Sequence, residues 1–573
     1  MEMKGSTLFM KALQAEGVEI LFGYPGASTI DLFDELYEQE QIELILPRHE
    51  QGLVHAADGY ARSTGKTGVC LVTSGPGATN LVTGIATANY DSVPLVCFTG
   101  QVATGLIGND AFQEVDIIGI TRSICKYGVV VRRREDLGRI IKEAFYIAGS
   151  GRPGPVVVDL PKDIMAELGS GDYPETVSIR GYKPVDDVHI GQIKKAMKLI
   201  KTAKRPLILA GGGVHIGKAQ KELSEFAGRT GIPVVTTIMG RGTIDTDAPG
   251  YIGNIGMHGR YAANLAVSRC DLLISIGTRF NDRITGKADT FAANARIIHI
   301  DIDTASISRN IKVDIPIVAD SKAALTAMLH YHEDYSFDPW LSEIEDWKLN
   351  DRQIPAAPGR LTPETIFALI NAQFQKGLVV TDVGQHQMWT TQYLKMNRDI
   401  RLLTSGGLGT MGYGLPGAIG AQLGNPGKKV LCITGDGGMQ MNMQELATAA
   451  ANELPLIICI FNNSFLGMVK QWQQLFYDKR YAMTCMKRRK SCARVCGGPG
   501  PDCPPYSPDF VRLAESFGCK GLRVSTEAEA RAALEAALQE TRIPVIIEFL
   551  IDDEGLVLPM VKSGKSLEHM ILE

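Results

Sequence analysis

Val430-Leu-Cys-Ile-Thr-Gly-Asp-Gly-Gly438 and Leu456-Ile-Ile-Cys-Ile-Phe-Asn-Asn463 decide the fold. Each is a short apolar run ending on a hard oxygen donor, and the two donors, Asp436 and Asn463, stand 27 residues apart. Runs of this length closed by Gly or Asn read as parallel strands, joined here by a helix over 443–451. An open α/β sheet collects its ligands at the carboxyl ends of such strands. A carboxylate and a carboxamide there suit Mg²⁺, with waters and phosphate oxygens completing the shell. Gly437 and Gly438 let backbone N–H groups approach a phosphate at the N-terminus of the following helix. Gly-Asp-Gly alone says little; the pair at two strand ends points to a phosphate group held through a metal.

The same layout occurs earlier. Val69-Cys-Leu-Val-Thr73 is a strand, Ser74-Gly-Pro-Gly77 a turn, 79–88 a helix and Pro94-Leu-Val-Cys-Phe98 the next strand. Thr73 to Pro94 spans 21 residues, as does Thr434 to Pro455, so the two halves read as copies of one doubly wound unit. The first copy lacks the metal Asp; its carboxylate is Glu50, in Pro47-Arg-His-Glu50 after a strand over 42–46. Between the copies lies a third unit, with strands over 206–210, 232–237, 271–276 and 296–301 and a helix over 219–231. Its Gly211-Gly-Gly213 turn and strand-terminal Asp301 suit nucleotide phosphates and ribose but lack the G-x-G-x-x-G spacing. Nucleotide binding and a purely structural domain both stay open on that spacing, and the Arg279/Arg283 pair favours phosphate. The fold class is α/β, three doubly wound parallel-sheet domains over 1–165, 190–335 and 362–550, with a tail over 551–573. Linkers are expected over 167–190 and over 334–362, the latter polar with Pro339, Pro355 and Pro358.

An apolar fraction of 45% and a charged fraction of 21% over 573 residues fit a globular protein of about three domains. A net charge of −4 gives no electrostatic case for nucleic acid or an anionic membrane. No apolar run reaches the ~18–20 residues of a membrane span. The opening Met1-Glu-Met-Lys-Gly5 carries no signal or transit pattern, which predicts a cytoplasmic protein. Cys70, Cys97, Cys432 and Cys459 sit in apolar strands and read as small buried hydrophobes in a reducing compartment.

Around these elements lie Phe22-Gly-Tyr-Pro-Gly26, Arg48-His-Glu-Gln51, Ala56-Ala-Asp-Gly-Tyr-Ala-Arg62, Asp382-Val-Gly-Gln-His-Gln-Met-Trp389 and the run 406–414. Over essentially its whole length the chain resembles the catalytic large subunits of acetolactate synthase (acetohydroxyacid synthase), a family of thiamine diphosphate enzymes. The resemblance implies that one domain holds the cofactor's diphosphate and its duplicate the pyrimidine ring, in clefts between two subunits. It implies decarboxylation of pyruvate and transfer of the two-carbon unit to a second pyruvate or to 2-oxobutyrate, in branched-chain amino-acid synthesis. It also implies thiamine diphosphate, Mg²⁺ and FAD as cofactors, a homodimer or homotetramer, and a small regulatory subunit.

By the same resemblance, Glu50 hydrogen-bonds the pyrimidine N1′, and Met411, in Gly409-Thr-Met-Gly412, is the apolar wedge that bends the cofactor. Gln385, His386, Gly409, Gly435, Asp436, Gly437, Gly438, Asn463, Phe465, Gly467 and Met468 surround the cofactor. Asp436, Asn463 and the backbone carbonyl of Phe465 are the implied Mg²⁺ ligands. Phe112, Gln113 and Lys162 from the first domain, with Met468, Val469 and Trp472, are implied to receive the substrates. Met468 and Trp472 share one face of an expected helix. FAD is implied at Arg152, Gly211, Gly212, Gly213, Met257, His258, Gly277, Arg279, Arg283, Asp301, Ile302, Asp320, Gly406 and Gly407, without a redox part in the carboligation. Asp301 and Asp320 are placed by strand ends rather than by a tight motif. The intact Arg279-Phe-Asn-Asp-Arg283 sets the chain apart from a degradative branch that lacks FAD. On residue chemistry alone, Met411 and Trp472 also fit core packing, and His386 a satisfied loop histidine. A pyruvate oxidase-like flavoenzyme and a non-catalytic cofactor-binding homologue are the alternatives. The tail Gly555-Leu-Val-Leu-Pro-Met560 resembles the synthase pattern, and Glu50, Asp436 and Asn463 together argue against a non-catalytic chain.

Between Tyr481 and Phe510 the sequence departs from many family members with Lys487-Arg-Arg-Lys490, Cys492, Cys496 and Cys503. With Cys485 the spacing is C-x₆-C-x₃-C-x₆-C, which matches no zinc or iron–sulfur pattern. A structural metal or cluster, a labile disulfide and a solvated loop with incidental thiols all remain readings of it. Its basic residues lack interleaved aromatics and make no case for nucleic acid.

Overall fold

The computed structural model describes residues 2–185, 187–351, 361–493, 503 and 508–573. It is built on three six-stranded sheets in which every strand pair is parallel. The first runs, in spatial order, Glu43–Ile45, Ile20–Tyr24, Gly68–Val72, Leu95–Gln101, Pro155–Pro161, Tyr127–Val130. The third runs Ile400–Thr404, Gly377–Thr381, Val430–Gly435, Ile457–Asn462, Val545–Leu550, Lys520–Val524. Counted along the chain, both orders are 2-1-3-4-6-5, so the repeat seen at Thr73 and Thr434 extends to the whole unit. The middle sheet, Tyr251–Asn254, Val234–Thr236, Pro206–Ala210, Leu272–Ile276, Arg296–Asp301, Ile315–Val318, has the order 3-2-1-4-5-6. Helices cover both faces of each sheet, which is why its strands read as unbroken Val/Ile/Leu runs. Cys70, Cys97, Cys432 and Cys459 are buried in these strands as small apolar residues.

In each sheet the strand order reverses beside the first strand, and in the first and third sheets again at the far edge; ligands of such sheets bind outside the central reversal. In the third sheet the reversal lies between Gly377–Thr381 and Val430–Gly435, whose following residues are Asp382 and Asp436. In the middle sheet it lies between Pro206–Ala210 and Leu272–Ile276, followed by Gly211 and Gly277. Gly277 has φ +61°, and a Cβ on it would stand 2.4 Å from Gly213 Cα. The two strand-end turns thus meet backbone to backbone.

Two stretches differ from their sequence reading. The helix expected over 79–88 is two helices, Pro76–Thr79 and Val82–Asp91. The linker expected over 334–362 contains the helix Asp338–Leu349, whose Trp340 and Ile344 are buried in the middle domain's core with Phe337. Trp340 Nε1 donates to Pro206 O at 3.0 Å, tying that helix to the first strand of the middle sheet. Pro355 and Pro358 lie outside the described residues. No helix among the described residues is long and apolar enough to cross a membrane.

The first and third domains meet where the helix Glu50–Thr64 crosses the helix Gly414–Leu423. A Cβ on Gly420 would stand 1.7 Å from Ala56 O, and one on Gly59 2.0 Å from Gly417 O. Arg62 lies beside this crossing, donating to both oxygens of Asp58, to Asp91 Oδ2 at 3.0 Å and to Thr404 O at 3.0 Å. Tyr413 Oη donates to Asp58 Oδ1 at 2.8 Å. Burial acts to lower the Arg62 pKa, and Asp58, Tyr413 and Asp91 reverse that, leaving it raised. The Gly420→Ala variant is expected to lose about 1–3 kcal/mol to overpacking. A lowered thermal midpoint with loosened docking of residues 50–64, seen by amide exchange, is the expected result; an unchanged midpoint contradicts it.

Candidate active site

A cavity of about 1660 Å³ connects the strand reversals of the third and middle sheets. All the residues expected around thiamine diphosphate and its metal, from Gln385 to Met468, line it, as do Val469 and Trp472. The residues expected at FAD line it too, except Gly211, whose Cβ position is filled by Gly277 O at 2.3 Å. Gly211 packs turn against turn. Glu50, Phe112, Gln113 and Lys162 do not line this cavity. Glu50 opens the helix Glu50–Thr64, and its Oε2 accepts from Asn80 Nδ2 at 3.0 Å. Phe112 is 87% exposed, Gln113 is close to Gly75, and Lys162 Nζ donates to Ala27 O at 3.1 Å.

At the third-domain end, Asp436 is buried and its Oδ2 has no hydrogen-bond partner among the described residues. Burial pushes its carboxyl up to about 7, the backbone N–H groups of Asp436 and Gly437 opposing the shift. A cation at that oxygen offsets such desolvation. Asn463 Oδ1 accepts from Phe465 N at 3.1 Å, and its Nδ2 donates to Gln385 Oε1 at 3.1 Å. Gln385 Nε2 in turn donates to Gln471 Oε1 at 3.0 Å and to Gly555 O at 2.9 Å. Both ends of Gln385 are engaged, so here it orients Asn463. His386 is buried with Nε2 unpaired, and desolvation lowers its pKa to about 3, so the ring is neutral at pH 7. A Cβ on Gly437 would stand 3.8 Å from Met411 Cε and 2.7 Å from Leu466 Cδ2. The orphaned carboxylate oxygen and the bare glycine turn fit a metal-held diphosphate.

Met411 owes its place to a residue that the motif analysis left without a role. Asp382 accepts from Val383 N, Gly412 N and Gly414 N at 2.8–3.1 Å and so folds the loop 405–413 over the strand ends. Its signal was present: like Asp436, it is an acid directly after an apolar strand. Gly406 N and Gly407 N donate to Asp91 at 3.0 and 2.8 Å. Expected beside FAD, these N–H groups are spent on a carboxylate of the first domain.

At the middle-domain end, Arg279 is half-buried and its guanidinium makes no hydrogen bond among the described residues. Burial, then the neighbouring Arg152, lowers its pKa. Arg152 itself is bound to Asp303 Oδ2 (3.0 Å), Ser92 Oγ (2.9 Å) and Asn89 O (3.2 Å). Asp301 is held up to about 6 by burial, and Asp320 caps the helix Ser321–His330. His258 has Nδ1 unpaired and a pKa lowered by burial to about 4. A free guanidinium facing a glycine turn fits an anionic group such as a nucleotide diphosphate.

The residues 484–486 that lead into the insert lie against the metal loop. Cys485 pairs with Phe465 in an isolated antiparallel bridge, Leu466 N donates to Thr484 O at 2.9 Å, and Met486 N to Ser464 O at 2.8 Å. Cys492 Sγ accepts from Arg489 N at 3.3 Å. Cys496 lies outside the described residues. Among the described residues no group of three His, Cys, Asp or Glu is placed to hold a metal.

Three family profiles match the chain: thiamine pyrophosphate enzyme, N-terminal TPP binding domain, over 3–120; central domain, over 193–328; and C-terminal TPP binding domain, over 382–549. The chain is 45% identical to the probable acetolactate synthase large subunit of Methanococcus aeolicus, across 99% of this chain and 95% of that protein. It is 42% identical to the acetolactate synthase large subunit of Haemophilus influenzae, across 100% and 98%. The chain belongs to the acetolactate synthase large-subunit family. It is therefore a thiamine diphosphate-dependent enzyme, and its three sheets are the three domains of that family.

In this member of the family the C-terminal tail packs against the helix that carries Met468, Val469 and Trp472. Gln471, buried on the helix Gly467–Phe476, donates to Val557 O at 3.0 Å and accepts from Val557 N at 2.8 Å. Gln392 Nε2 reaches Leu558 O and His258 O, and Val561 N donates to Met257 O. Residues 555–561 thus strap the third domain to the middle one. Gln471→Leu leaves the Val557 N–H and C=O unpaired, at about 1–3 kcal/mol each. Faster proteolytic cleavage within 552–561 is the expected outcome; equal protection in variant and parent rules it out.

Proposed function

We propose that the chain is an acetolactate synthase that decarboxylates pyruvate and joins the two-carbon unit to a second pyruvate or to 2-oxobutyrate. Thiamine diphosphate, when bound, supplies the carbon nucleophile that attacks a 2-oxo acid and holds the electron pair left by CO₂. The observation that carries the reading is the buried, unpartnered Asp436 Oδ2 beside Asn463 at the strand reversal. Asp436, Asn463 and the Phe465 carbonyl would hold Mg²⁺ and, through it, the diphosphate. Met411 would press on the cofactor from the loop that Asp382 folds. Glu50 would share a proton with the pyrimidine N1′. FAD would lie along the remaining cavity, its phosphates at Arg279 and the Gly212–Gly213 turn.

Glu50, Phe112, Gln113 and Lys162 lie outside the chain's own cavity, which supports a homodimer or homotetramer in which a second copy supplies them. That the relatives are large subunits supports a smaller, regulatory partner. Asp436→Ala is expected to abolish Mg²⁺-dependent binding of thiamine diphosphate, read by calorimetric titration of apo-protein. Parental affinity in that variant would move the metal site elsewhere.

Acceptor choice falls to Met468, Val469 and Trp472 on the helix Gly467–Phe476. The Trp472 ring is braced edge-on by Phe476, with centroids 5.6 Å apart. One methylene separates pyruvate from 2-oxobutyrate, worth ~1–3 kcal/mol or ~10–200-fold in an apolar pocket. Trp472→Leu should erase most of any preference for 2-oxobutyrate while changing pyruvate self-condensation little. A competition assay with both acceptors measures it, and an unmoved product ratio shifts recognition to Met468 or Phe112.

A further inference from the structure

Glu445 has no place in the site as built so far. It opens the helix Glu445–Ala451, nine residues after Asp436, and is fully buried. Its carboxylate crosses into the first domain. Both oxygens accept from Arg48 N at 3.1 Å, and Oε1 also accepts from His49 N at 3.0 Å. Thr448 Oγ1 donates to Oε2 at 2.7 Å. Arg48 and His49 are the two residues ahead of Glu50. His49 is the N-cap of the helix Glu50–Thr64, with extended backbone and its Nδ1 accepting from Gln51 N at 3.0 Å. Gly52 keeps the space clear: a Cβ there would stand 2.5 Å from Glu445 Oε1.

Backbone N–H groups bound to a carboxylate make charge-assisted bonds, roughly twice as strong as neutral ones. The same carboxylate faces the positive end of a helix. Burial pushes the Glu445 pKa upward, and Thr448, Arg48 and His49 oppose it by bonding to the charged form. Glu50 is thereby bracketed, the two residues ahead of it bound from the third domain and its Oε2 by Asn80.

We propose that Glu445 is the positioning residue for Glu50, holding the turn Arg48–His49 so that the Glu50 carboxylate points at its proton-sharing partner. The inference rests on Glu50 being that carboxylate, as in the proposed function. It also links two centres. Glu445 and Asp436 share one segment, while Glu50 lies outside the chain's own cavity. In a two-copy enzyme the segment 436–445 joins the metal of one centre to the carboxylate of the other.

Holoenzymes carrying Glu445→Ala, Glu445→Gln, Gly52→Ala and, as reference, Glu50→Gln test this. The readouts are hydrogen–deuterium exchange at the thiazolium C2 of bound thiamine diphosphate, amide exchange of the peptide 46–56, and cofactor affinity. Glu445→Ala and Gly52→Ala should each deprotect the Arg48 and His49 amides and slow C2 exchange by about 10²-fold, as a displaced catalytic group does. Cofactor affinity should stay at the parental value. Glu445→Gln, which keeps one acceptor oxygen, should lose less. If Glu445→Ala does not fold, Gly52→Ala and Glu445→Gln decide the matter. Parental C2 exchange in the Glu445 and Gly52 variants, with Glu50→Gln slowed, overturns the inference alone. Parental exchange in Glu50→Gln overturns the reading of Glu50, and the inference with it.

Discussion

Backbone packs on backbone where the helices Glu50–Thr64 and Gly414–Leu423 cross, and the placement of the site depends on that contact. Gly59 and Gly420 permit it by having no Cβ, Gly59 lying against the Gly417 carbonyl and Gly420 against that of Ala56. Around it, Asp58, Arg62, Asp91 and Tyr413 form a buried charged group, in which removing one partner costs about 3–5 kcal/mol. Asp91 then reaches Gly406 and Gly407, and Thr87 hydrogen-bonds Thr410 at 2.7 Å. The loop that carries Met411 is therefore clamped from one side by Asp382 of its own domain and from the other by the first domain. Moving the helix crossing would move the wedge.

The cavity gathers polar atoms that the protein itself leaves unanswered. Asp436 Oδ2, His386 Nε2 and His258 Nδ1 are buried without partners among the described residues, where an unmade hydrogen bond costs about 1–3 kcal/mol. Burial keeps both histidines neutral, so each ring presents one donor and one lone pair at pH 7. Positive charge enters instead through Arg279, on which Asp91, Asp301 and Asp303 act through space but which pairs with no carboxylate among the described residues. A site that invests stability in this way is specified for something polar and anionic, with a cation at one end.

The strand ends were legible in the sequence, because a short apolar run closed by Gly-Asp or Asn-Asn is a local signal. So was the duplication, which rests on equal spacings. What escaped notice acts across domains. Asp91 and Glu445 bind backbone N–H groups more than 300 residues away, and nothing near either residue marks such a partner. Glu445 in its own segment looks like an ordinary charge at the start of a helix. Asp320 shows the reverse ambiguity: an acid after a strand can serve a ribose or cap the next helix, and here it is seen to cap. The helix Asp338–Leu349 hid behind its charges, since its inner face is marked by just Phe337, Trp340, Ile344 and the half-buried Trp347.

The helix crossing also has a consequence for how the protein is made. Its two halves are separated by the entire middle domain, so the helix Glu50–Thr64 leaves the ribosome long before its mate. At ~5–20 residues per second, roughly 20–70 s pass before the helix Gly414–Leu423 exists. Throughout that interval a glycine-notched groove stands open on the newborn first domain, with Asp58, Arg62 and Asp91 beside it lacking their third-domain partners. Biogenesis of this chain thus includes a window in which its most intimate internal surface is public.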